Sequence, residues 1–149
     1  MELSKEHKRL PFFSAKLYNM NMKNKHIDID IALTHYLVAM LWTESCDMDG
    51  NEHLDKNYTI DDIHEELKES SRQDLAKFIA ENEADLLTWD GQTTTASEQT
   101  GHDFWLTRNS HGCGFWESEW RNVGQKLTEA TRKFPEVTAM LFDNKVVMA

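Results

Sequence analysis

Apolar positions along this chain change their spacing three times. Ile31, Leu33, Leu37, Val38, Met40, Leu41 and Trp42 crowd a stretch of helical length, with Asp28 or Asp30 placed to cap it, which predicts a helix over 31–43. Its apolar residues surround most of the circumference, the pattern of a central helix. The segment CDMDGNEHLDKN then predicts a polar loop. Thr59, with an acidic residue at the third helical position, signals one helix start, and Ser71 repeats the signal. Ile60, Ile63 and Leu67 form a stripe after the first. Leu75, Phe78, Ile79 and Leu86 recur at helical spacing after the second.

Residues 88–101, which include DGQTTTASEQTG, are poor in apolar side chains and predict a linker. Beyond it the period shifts to two. Phe104, Leu106 and Arg108 alternate with Trp105, Thr107 and Asn109, which predicts a strand. Ser110 to Gly114 would be the turn and Phe115 to Glu117 the return. In that register Arg108 faces Trp116, and Phe104, Leu106, Arg108 and Trp116 share one sheet face, with Trp105, Asn109 and Phe115 on the other. Trp120, Val123, Leu127, Ala130 and Phe134 mark a helix from about Ser118, with Pro135 helping to end it. Val137 to Phe142 and Lys145 to Met148, joined by Asp143-Asn144, predict a second hairpin with a two-residue turn. The expected fold is α+β: helices over 27–87, a linker over 88–101, and a small antiparallel sheet of ββαββ type over 102–149. Residues 27–149 form one domain, preceded by a basic arm at 1–26.

Length and composition agree with one globular domain: 149 residues, 40% hydrophobic and 10% aromatic. No apolar run reaches the length of a membrane span, and the N-terminus carries no apolar leader, so no membrane partner is expected. Cys46 and Cys113 form no CxxC pair, which fits a reducing cytoplasm. The net charge of −10 is unevenly placed. Residues 1–26 hold six Lys/Arg against two Glu, whereas 44–86 hold fourteen Asp/Glu against four Lys/Arg. Such a surface opposes double-stranded DNA and favours basic partners.

The stretch HDFWLTRNSHGCGFW, 102–116, resembles a segment of short proteins from tailed bacteriophages and prophages that have no assigned activity, HDFWLTRNxHGxGFW. Lys126-Leu127-Thr128-Glu129-Ala130 and the upstream YLVAMLWTES, DKNYTIDDI and DLAKFIAEN are also similar to that group. The resemblance covers roughly residues 36–149. The chain departs from it at Ser110, Cys113 and Pro135, and its final turn lacks a glycine. What the resemblance implies is a phage origin and a shared fold, with no activity attached; with the reducing compartment that the cysteines suggest, the expected location is the host cytoplasm.

Four readings of the chemistry follow. In the first, the motif is scaffold: Trp105, Phe115 and Trp116 fill the core, Gly112 and Gly114 adopt positive φ, and Arg108 stacks near an aromatic. In the second, Trp105, Arg108, His111 and Trp116 form a platform for single-stranded nucleic acid, helped by Lys5, Lys8, Arg9, Lys16, Lys23 and Lys25. In the third, His102, Asp103, His111 and Cys113, with His53 and His64 upstream, supply metal ligands, or Cys113 a nucleophile with His111 as its base. However, an extended strand holds His102 and His111 roughly 30 Å apart, and no HExxH or CxxC spacing is present. The fourth places function on the acidic helical half. Asp61, Asp62, Glu65, Glu66, Glu69, Glu81, Glu83 and Asp85 would present a carboxylate surface to a basic host or phage protein, imitating DNA phosphates. The expectation is a non-enzymatic binding protein of the fourth kind, without cofactor or metal, on a scaffold of the first.

Overall fold

The computed structural model describes residues 26–45 and 52–149. Of the basic arm only His26 falls within them, and Cys46 lies outside them. Among these residues, four α-helices and one two-stranded antiparallel sheet follow in the order α1 Ile29–Thr43, α2 Glu65–Leu86, α3 Ala96–Arg108, α4 Gly124–Thr131, β1 Ala139–Phe142 and β2 Lys145–Met148. Short 3-10 turns at Leu54–Lys56, Ile60–Asp62 and Ser118–Val123 join them. The class is α+β.

The cap of α1 is Asp28, whose Oδ1 accepts from the Asp30 and Ile31 amides at 3.0 and 3.1 Å. Ala32, Tyr36, Leu37, Ala39, Met40 and Leu41 face the core, while Ile31, Val38 and Trp42 are exposed. The helix therefore has a bare side and is not enclosed as the sequence suggests.

The two helix starts at Thr59 and Ser71 resolve differently. Thr59 opens only the Ile60–Asp62 turn, with its amide donating to the Asp62 carboxylate at 2.8 Å. The long helix starts after His64, whose ring nitrogen accepts from the Glu66 amide. No Gly or Pro interrupts 65–86, so one helix of 22 residues runs through Ser71, which is buried and donates to the Leu67 carbonyl at 2.6 Å. Its buried side runs Leu67, Ser71, Leu75, Phe78, Ile79, Asn82 and Leu86.

The largest correction concerns 95–117. Residues 88–95 carry no helix or strand, as a linker would, but the rest of the expected linker and the expected first strand form α3, Ala96–Arg108, and 109–117 do not pair with it as a strand. Thr95 and Glu98 form a reciprocal capping box: the Glu98 amide donates to Thr95 Oγ1 at 3.2 Å and the Thr95 amide to Glu98 Oε1 at 3.0 Å. Every residue from Asp103 to Arg108 is buried, so both halves of the apparent alternation point into protein. Gly101 allows the approach to α1, since a Cβ there would stand 1.8 Å from the Ala32 carbonyl oxygen. The α1–α3 crossing is the closest helix packing in the fold. The chain then reverses at Ser110, which itself takes φ 55. Gly112 and Gly114 do not supply the positive φ; Gly114 instead leaves room for Thr107 Oγ1, 2.4 Å from where a Cβ would sit.

The ββαββ arrangement is thus reduced to its last hairpin. Among the described residues the sheet contains β1 and β2 alone, paired from Ala139↔Met148 to Phe142↔Lys145. Asp143 and Asn144 take φ 51 and 58, the two left-handed residues of a type I′ turn. A single bridge, Ile63↔Val146, joins β2 to the start of α2. The expected final helix is split into a 3-10 turn and α4, which ends at Thr131, ahead of Pro135.

Two stability changes are expected. Gly101→Ala forces α1 and α3 apart and should cost about 1–3 kcal/mol despite the better helix propensity of Ala, read from urea midpoints. Asn144→Val strains the turn by about 1–2 kcal/mol, whereas Asn144→Gly leaves stability at or above that of the parent protein.

Candidate functional site

The motif residues proposed for nucleic-acid contact do not assemble into a platform. Trp105 is 0% exposed; its indole N–H donates to Thr43 Oγ1 at 2.7 Å and its ring meets Tyr36 edge-on at 5.3 Å. The Arg108 side chain is also fully buried. Its Nε and Nη2 donate to the Pro135 carbonyl at 3.0 and 2.7 Å, and its Nη1 to Tyr36 Oη at 3.1 Å and Asp74 Oδ2 at 3.0 Å. Phe104 and Phe134 lie 5.3 and 5.8 Å from the guanidinium carbon. Burial pushes the Tyr36 hydroxyl up, with Arg108 partly opposing it. Neither Trp105 nor Arg108 can touch a base, which removes the stacking surface. Trp116 is 40% exposed, and His111 is half-buried.

His111 stacks beside Trp105 at 6.4 Å, and its Nε2 is buried without a hydrogen-bond partner among the described residues. Burial lowers its pKa. Among the described residues no group of three or more His, Cys, Asp or Glu is placed to hold a metal ion. His102 and Asp103 do come together, at 3.0 Å. Burial, then the charges of Asp103 and Glu117, raise the Cys113 pKa, so its thiol rests protonated and is a poor nucleophile.

The eight acidic candidates separate into two groups. Around the start of α2, Asp61, Glu65, Glu66 and Glu69 are exposed, Glu65 pairs with Lys68 at 3.2 Å and Glu69 accepts from Gln73 at 3.2 Å. Asp62 is held by its turn. At the other end Glu81 is exposed, while Glu83 accepts from the Ile27 amide at 3.1 Å and contacts His26. Asp85 pairs with Lys126 at 2.9 Å. Roughly 20 Å of helix separates the groups. Glu83 and Asp85 therefore fasten neighbouring segments, and the outward charge concentrates at the first turns of α2.

Beside that acidic end lies a cleft of about 670 Å³, walled by His64, Glu66 and Leu67 of α2 and by Phe142, Val147 and Met148 of the hairpin. The His64 amide donates to the Val146 carbonyl at 2.8 Å, which sets the distance between the walls. Phe142 is 69% and Met148 55% exposed. An apolar floor thus adjoins a charged rim, the carboxylates of Glu66 and Asp143 with the ammonium of Lys145. Sequence patterning located the hairpin but gave no sign that its open face and the α2 carboxylates belong to one surface. Asp74, the partner of Arg108, was likewise absent from the candidates.

Arg108→Met leaves Asp74, Tyr36 and the Pro135 carbonyl unpaired and should cost about 3–5 kcal/mol, with Arg108→Lys recovering only part, as chemical denaturation would show. Because the folded state holds the His111 pKa below its ordinary 6.5, the unfolded chain binds the proton first and stability falls on acidification through that value. In His111→Gln the loss of stability between pH 7.5 and 5.5 should be smaller than in the parent protein. Comparison with protein-family models, with curated proteins and with solved structures finds no match to the chain, so its own residues carry the functional argument.

Proposed function

We propose that this protein is a non-enzymatic accessory protein of phage origin that acts in the host cytoplasm by binding another protein. The observation that carries the proposal is the cleft between α2 and the hairpin, where Phe142 and Met148 stand exposed in the same lining as Glu66, with Glu65 and Glu69 exposed on the same first turns of α2. A partner with a basic surface and an apolar anchor suits it: the carboxylates steer and orient, and the apolar floor supplies most of the affinity. A host enzyme or defence protein that normally grips DNA has that basic surface, and the projecting carboxylates would stand in for phosphates. Burial of Trp105 and Arg108 supports assigning the 102–116 motif to scaffold. No helix among the described residues is long and apolar enough to cross a membrane.

The test is affinity capture from host lysate, with mass spectrometry, using the parent protein and the Glu65→Lys/Glu66→Lys/Glu69→Lys variant, with and without double-stranded DNA. A partner held by the parent protein, released by DNA and lost from the variant is the expected result. Equal capture of that partner by the charge-reversed variant would overturn the acidic surface as its binding site.

A further inference from the structure

A second cavity, about 290 Å³, opens beside α3, and its chemistry differs from that of the cleft. Its anchor is Asp103, whose side chain is 4% exposed. The two carboxylate oxygens accept from Trp120 Nε1 at 2.6 Å and Gln99 Nε2 at 2.9 Å, and contact His102 Nδ1 at 3.0 Å. An ionised carboxylate can only accept, so Nδ1 of the imidazole carries the hydrogen. With Nδ1 so engaged, Nε2 is the ring nitrogen left to a ligand, and in a neutral imidazole it is an acceptor. Gln99 is oriented in turn, with its Oε1 accepting from Thr94 Oγ1 at 2.7 Å. Trp42 stacks against the His102 ring at 6.3 Å, a further constraint on its orientation.

The rest of the lining continues the same inventory. Glu117 and Glu119 bring exposed carboxylates, and the half-buried Trp89 offers aromatic surface, its ring packed on the buried Trp120 at 4.7 Å. Among the described residues no Lys or Arg lines the cavity. Arg121, next to Trp120 in the chain, is paired with Asp90 at 3.0 Å. Cys113, also in the lining, stays a neutral thiol. The cavity thus combines fixed acceptors and negative charge with indole surface. Its complement is a planar cation with several N–H donors that can stack and hydrogen-bond in its own plane. A quaternary ammonium lacks the donors, and a primary ammonium lacks the plane.

We propose that this cavity is a guanidinium-binding site, with His102, Glu117 and Glu119 as acceptors and the half-buried Trp89, backed by the buried Trp120, as its aromatic wall. It stands independently of the cleft and of the partner assigned there. The guanidinium belongs either to a free small molecule or to an arginine side chain of another protein, and the two sources are separable.

The experiment titrates the full chain with agmatine and with acetyl-Gly-Arg-Gly-amide, following tryptophan fluorescence and the iodoacetamide alkylation of Cys113 by mass spectrometry. The citrulline form of the peptide, neutral and nearly isosteric, and tetramethylammonium are the controls. Saturable binding of a guanidinium probe that slows Cys113 alkylation is expected, with weakening of roughly tenfold or more in Glu117→Gln/Glu119→Gln and in His102→Gln. These side chains are exposed or half-exposed, so the variants should keep the parent circular dichroism. Tighter binding of the peptide identifies an arginine side chain as the ligand, and tighter binding of agmatine a free guanidine. Failure of both probes to saturate, equal binding of the citrulline peptide or of tetramethylammonium, or unchanged affinity in the glutamine variants would overturn the site.

Discussion

One buried guanidinium organises this fold. Arg108 closes α3 and reaches Tyr36 on α1, Asp74 on α2 and the Pro135 carbonyl beyond α4, between the rings of Phe104 and Phe134. A cation removed from water on this scale is costly unless its donors are met. Here both terminal nitrogens and Nε are engaged, and three separate parts of the chain must be in place for that to hold. The same requirement fixes α3 at the centre and aligns its neighbours around it. It also explains why the segment richest in aromatic and basic chemistry presents so little of it to solvent.

The consequence for function is a division between inside and outside. Trp105, Phe115 and Trp120 are interior, and Thr107 Oγ1 accepts from the Phe115 amide at 3.0 Å to fold the glycine-containing segment back on α3. Outward, besides the bare side of α1, lie the acidic end of α2 with the hairpin face, and the cavity around His102. The first is broad and amphipathic, as a protein partner requires. The second is small and built from fixed acceptors, as a compact cationic group requires.

Much of the periphery was legible in the chain. Asp28 as the cap of α1, the helical spacing through Leu86 and the Asp143-Asn144 turn all depend on local chemistry, and the structure has them. The centre was not. A helix buried on every side has no polar face, so Phe104 to Arg108 lost the 3.6-residue period and kept only a chance alternation. The start of α3 was in fact written in Thr95-Ala96-Ser97-Glu98, a capping-box sequence inside a stretch whose polarity suggested a linker. The acidic candidates were legible as charge but not as partners: which carboxylates are engaged depends on where Ile27 and Lys126 arrive, and that is set by packing. The cleft escaped for the same reason, since Glu66 and Met148 are brought together only by the His64–Val146 contact.

Native-state amide hydrogen exchange over Phe104–Arg108 addresses the central claim most directly. If this segment is the enclosed helix held by Arg108, its amides should exchange only through global unfolding, with protection equal to the stability measured by denaturant and the same dependence on denaturant concentration. Exchange through local opening well below that stability would contradict the account, because it would return the motif to the surface.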